Sequence, residues 1–189
     1  MSKSLKERRL EEVRRQRRNR NILIGGITLV VLVGLGALIY GRFLRAIEGL
    51  EVYSNLSREH VTNVDIPDEG VPPVGGVHDP TPLTCGVYRE PVPVANAVHS
   101  LEHGAIWIAY HPDVSDELVA ELESYVDNYT LIAPYPGLQN EVVVTAWGYR
   151  LRFDGAPDER LDQFITRYKG QGPEPGASCR GVGSPVATS

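Results

Sequence analysis

A chain of 189 residues with a formal charge of −5 has room for one ordinary domain plus attachments. That balance conceals a polarised molecule: eleven of the nineteen Lys and Arg, but only three of the twenty-four Asp and Glu, fall within residues 1–45. The remainder therefore carries −13, a field that repels phosphate and excludes nucleic acid as its partner.

From Ile22 to Tyr40 the chain is apolar except for Thr28, and no charge occurs between Arg20 and Arg42. A run of about 19 residues spans a hydrocarbon core as a helix, which predicts a transmembrane segment over 22–42 with membrane lipid as its partner. A cleaved signal peptide has a shorter apolar region and a small-x-small cut site, so the run reads as a retained single-pass anchor. The basic residues crowd into 1–21, leaving Arg42 and Arg45 on the other side. The positive-inside rule then puts the N-terminal tail in the cytoplasm and everything beyond residue 45 outside the cell membrane.

Residues 43–66 lack a clear period, with Tyr53, Leu56 and Val61 irregularly spaced, and read as a juxtamembrane stalk. Between 67 and 93 stand seven prolines and four glycines. Such density removes backbone donors and fixes φ too often for a helix or central strand, so this stretch is expected to wrap the domain as an ordered loop. Cys85 lies in it and Cys179 near the C-terminus. In an oxidising compartment the two are expected to pair, the alternative being a free Cys85 thiolate available to a metal.

Beyond the loop, Ala105–Tyr110 reads as a buried strand, and Ser115 as the N-cap of a helix whose Leu118, Val119, Leu122, Tyr125 and Val126 share a face. Strands follow at Thr130–Ala133 and Glu141–Trp147, the second continuing through a bulge at Gly148 along Tyr149, Leu151 and Phe153. Pro157 opens a second helix with Leu161, Phe164, Ile165 and Tyr168 on one side. The order β-α-β-β-α predicts an α+β domain over 67–170, a small, mostly antiparallel sheet with helices on one face. Residues 171–189, rich in Gly, Pro and Ser, are expected to be a flexible tail.

Acid-base or metal chemistry is concentrated in Val98-His99-Ser100-Leu101-Glu102-His103-Gly104. On a helix His99 and His103 share a face and can present both imidazoles to one ion; on a strand they would stand about 13 Å apart. All five histidines, His60, His78, His99, His103 and His111, lie between residues 60 and 111. This clustering suits copper or zinc, with His99 and His103 as primary ligands, His78 and His60 brought alongside, and Glu102 as ligand or orienting partner. Two alternatives use the same residues. A buried His–Glu network can serve structure alone, or the H-x-x-E-H spacing can hold zinc with Glu102 activating water in a hydrolase. Because the motif runs almost at once into a strand, the non-enzymatic readings are preferred.

Several blocks in order carry a resemblance: Pro72-Pro73-Val74-Gly75-Gly76-Val77-His78, Cys85-Gly86-Val87-Tyr88, Ala97 to Gly104, Ala133-Pro134-Tyr135-Pro136-Gly137, Thr145-Ala146-Trp147-Gly148 and Gly172-Pro173-Glu174-Pro175-Gly176. Over about residues 50–180 the chain resembles the prokaryotic domain of unknown function 3105. The likeness extends to His60, His78, His99, Glu102 and His103, and it implies a single-pass membrane or exported protein with no activity attached. At Gly75 the chain departs from the serine of the family pattern, a change of loop geometry and not of a ligand.

Overall fold

The computed structural model of the chain describes residues 5–44 and 46–186. Residues 1–4 of the basic tail, the flanking Arg45 and residues 187–189 lie outside the described set. The chain divides into two compact units, 1–45 and 46–189.

The first unit is one helix, α1 (Leu5–Leu44). Within it Arg14–Leu38 is long and apolar enough to cross a membrane, and none of that stretch is buried in the protein. Ile22, Leu29, Val30 and Leu38 are all more than half exposed. A helix apolar all round needs an apolar surrounding; a signal sequence shares this property.

The second unit comprises β1 (Glu51–Val52), β2 (Gly86–Val87), α2 (Val94–Glu102), β3 (Ile106–Tyr110), α3 (Asp116–Glu123), β4 (Thr130–Pro134), β5 (Val142–Ala146), β6 (Tyr149–Phe153) and α4 (Glu159–Tyr168). It is α+β, with six strands in the order β1-β6-β5-β3-β4-β2. The sheet is mixed, not mostly antiparallel: β3 pairs parallel with β4, and β4 with β2, while β5 and β6 run antiparallel. The parallel pair follows from α3, since a strand-helix-strand crossover returns the chain in its original direction.

Side chains alternate along β3. Ile106, Ile108 and Tyr110 enter one core with Leu118, Leu122, Leu161, Phe164 and Tyr168, while Trp107 and Ala109 enter a second with Leu83, Ala97 and Leu101. Strands covered on both faces lose the apolar-polar alternation of a half-exposed sheet. The two helices foreseen from periodicity, α3 and α4, pack on the first face. Both are capped by their own sequence: Ser115 accepts from the Leu118 amide, and Asp158 from the Arg160 amide, each contributing about 1 kcal/mol. The second face is covered by α2 and the Pro-rich loop.

Three local expectations change. The segment expected as a stalk belongs to the domain from Ala46 on: Ile47 is buried, Glu51 and Val52 pair with Arg150 and Tyr149, and the Tyr53 amide donates to the Gly148 carbonyl. Gly148 is a hairpin corner and not a bulge, because Ala146 pairs with Tyr149 and leaves a two-residue loop that needs its φ of 82°. The tail expected to be loose is packed to residue 186: the Val182 amide donates to Pro82, the Val186 amide to Val87, and Cys85 and Cys179 form a disulfide.

Candidate metal centre

The sequence left the conformation of the His99–His103 stretch open, and α2 decides it. Pro93 stands at the N-cap, where its missing N–H costs nothing, and Ala97, Val98 and Leu101 are fully buried. His103, still right-handed helical at the C-cap, donates its amide to the His99 carbonyl at 3.2 Å. The i, i+4 pair thus shares a face, and the two Nε2 atoms stand 3.0 Å apart.

Other segments complete the group. His78 comes from the Pro-rich loop and His60 from the segment before it, joined by a two-residue bridge in which the Val61 amide donates to His78 O and the His78 amide to Glu59 O. Donor atoms of His60, His78, His99 and Glu102 all lie within 4.8 Å of one another. His103 adjoins this set through His99. His111 lies elsewhere, in a turn where its Nδ1 accepts from the Asp113 amide. Cys85 is in the disulfide, which removes it as a thiolate ligand.

Three of the imidazoles are oriented from behind. Nδ1 of His78 lies 2.7 Å from the Gly76 carbonyl, Nδ1 of His99 2.6 Å from that of Asp79, and Nδ1 of His103 2.8 Å from that of Ser178. A carbonyl only accepts, so each Nδ1 carries the proton and donates it. In the neutral ring the Nε2 lone pair then points inward. There His78 Nε2 meets a Glu102 oxygen at 3.0 Å, and His99 Nε2 meets His103 Nε2 at the same distance. Acceptor faces acceptor at both contacts. Either an extra proton or a metal cation must lie between them.

Glu102 has no exposed surface. Its Oε1 accepts from Arg58 Nε at 3.0 Å, and its Oε2 faces His78 and His60 Nε2 at 3.0 and 3.3 Å. Burial pushes its carboxyl up, but the Arg58 hydrogen bond and the charges of His78 and His60 outweigh this and hold it below the ordinary carboxylate range. Burial pushes His99 down; the bond to Asp79 O opposes this, and the neighbouring His103, His78 and His60 add to it, so the ring sits below the usual imidazole range.

Sequence reasoning missed two contributors. Arg58 is recognisable only once Glu102 lies beside it. Glu174, in the supposed tail, stands 3.7 Å from His103 Nε2 and 3.8 Å from Arg58. Its backbone amide donates to the Glu102 carbonyl, an approach that Gly172 makes possible, since a Cβ there would lie 2.1 Å from that same oxygen. Gly172-Pro173-Glu174 therefore had a readable signal, a glycine demanding close backbone contact.

No curated protein and no solved structure matches the chain. The family described as Protein of unknown function (DUF3105) matches residues 60–181, more than half of the sequence and the stretch that carries every histidine and Glu102. The chain belongs to that family.

Proposed function

We propose that the domain binds a divalent transition metal, copper or zinc, through His60, His78, His99 and Glu102, with His103 adjoining, and that α1 holds it at the outer face of the cell membrane with the N-terminus cytoplasmic. The observation that carries the reading is the pair of acceptor-against-acceptor contacts behind which each Nδ1 is fixed to a backbone carbonyl. This is how metal-ligating histidines are held: the outer hydrogen bond sets the tautomer and aims the free lone pair at the ion. Tetrahedral ligands at about 2.0–2.1 Å stand roughly 3.3 Å apart, close to the 3.0 and 3.3 Å that separate His78 and His60 from Glu102, within a set whose donors lie up to 4.8 Å apart. Imidazoles with a carboxylate and no soft sulfur suit zinc or oxidised copper. The membrane reading is supported by the apolar run of α1, the basic residues before it and the disulfide beyond it.

The test is metal content of the full chain purified untagged in detergent, with thermal melts in zinc, copper and chelator. Binding to the native state alone raises stability by about 2.7 kcal/mol at a hundredfold excess over Kd. His78→Ala and His99→Ala are expected to abolish that shift. No bound metal and identical melts would sink the proposal.

A second reading has its own observation: Arg58 already neutralises Glu102, so the cluster can serve as a structural network. His99→Ala would then lower stability equally with and without metal. The hydrolase reading finds less support, because both oxygens of Glu102 are committed to Arg58, His78 and His60, whereas a general base must reach a reacting water.

A further inference from the structure

Donor atoms at the centre form a file of graded burial. Glu174 is 44% exposed at its side chain, His103 10%, and His78 and Glu102 0%. Along this file Glu174 Oε2 is 3.7 Å from His103 Nε2, which is 3.0 Å from His99 Nε2. His99 belongs to the tight four-donor set, and His103 does not. Both outer residues are fixed relative to the inner ones: Ser178 O holds the His103 ring, and the Glu174 amide is bonded to Glu102 O.

We propose that His103 and Glu174 form a peripheral acceptance position for a divalent transition metal, the port through which the ion reaches the inner cluster; this rests on the metal-binding reading above. The ion exchanges two of its waters for Glu174 Oε2 and His103 Nε2. His99 Nε2 adds next, displacing a further water, and Glu174 leaves as the inner donors take over. At no stage is the ion stripped of ligands, so the barrier of a bare cation in a buried site never arises. Arg58 is the resident cation that yields. Its guanidinium lies between the two carboxylates, 3.0 Å from Glu102 and 3.8 Å from Glu174, and a divalent ion competes for both.

A port and a ligand differ in kinetics. A ligand sets how tightly the ion is held; a port sets how fast it comes and goes, in both directions equally. The experiment uses the full chain in detergent, with zinc uptake followed by stopped flow, release by chelator challenge and Kd by chelator competition. Glu174→Gln is expected to slow uptake and release together, by about tenfold given the usual size of charge-steering effects, while Kd stays within about twofold. Weaker binding through faster release alone would make Glu174 a ligand of the inner site and overturn the port. Unchanged rates in this variant would place uptake elsewhere and overturn it equally. The Glu174 side chain is 44% exposed, so the substitution leaves the fold intact. Absence of zinc binding in the unaltered chain is a separate outcome: it removes the metal reading itself, and the port with it.

Discussion

The two faces of the sheet are built by different means. On the first, α3 and α4 lay amphipathic stripes on Ile106, Ile108, Val142, Val144 and Leu151, and non-directional apolar burial holds the layers. On the second, short α2 shares the surface with a loop of prolines and glycines and with the C-terminal segment. What holds that face is directional: the Leu83 amide bonded to Ser100 Oγ, the Ser100 hydroxyl to Leu83 O, Gly170 N to Gly104 O, and the disulfide. A face made of apolar stripes supplies stability, whereas one made of fixed backbone carbonyls supplies positions for polar groups. The His–Glu cluster lies on the second.

This contrast can be broken by changing one face and reading the other. The largest effect is expected for Cys85→Ser with Cys179→Ser. Opening a loop whose ends are 94 residues apart costs about 4 to 5 kcal/mol in the chain-entropy account, read by denaturant unfolding, and metal affinity should fall because Ser178, whose carbonyl orients His103, loses its anchor. Unchanged affinity would show that the C-terminal segment does not position the centre. Next comes Phe164→Ala on the first face, expected to cost about 4 kcal/mol while zinc affinity at temperatures below melting stays as it was. A parallel loss of affinity would mean that the faces are not separable.

Gly172→Ala sharpens the comparison further. Its Cβ would meet Glu102 O, a backbone atom with little freedom to move, so a loss of about 2 to 3 kcal/mol is expected together with at least a tenfold loss of metal affinity. Wild-type behaviour in both would contradict the tight approach of 172 to α2. The smallest effect is the acid response of the chelated protein. His99 and Glu102 both have folded pKa values below their unfolded ones. Each therefore contributes stability above its unfolded pKa that is lost as pH falls through the folded value. Melting temperature should begin to drop below about pH 6.5 through His99, then again below about pH 4.3 through Glu102. The first step should vanish in His99→Ala; its survival there would assign it to another group.

What the sequence determined by itself was whatever repeats at short range. The apolar run of α1, the stripes of α3 and α4 and the β-branched β5 are written in neighbouring residues, and the spacing of His99, Glu102 and His103 marked a candidate site for which a shared helix face was one of two possible conformations. Tertiary structure alone decided the rest. Whether His99 and His103 converge depended on α2, nine residues long and too short for its period to stand out from the loop before it. The pairing of β1 with β6, which draws residues 46–60 out of a supposed stalk, rests on backbone hydrogen bonds that any side chain permits. Arg58 and Glu174 lie 44 and 72 positions from Glu102 in sequence, on segments that lack periodicity. Nothing local to either residue encodes that approach, because the information lies in the glycines, carbonyls and disulfide that fold the second face over the helix.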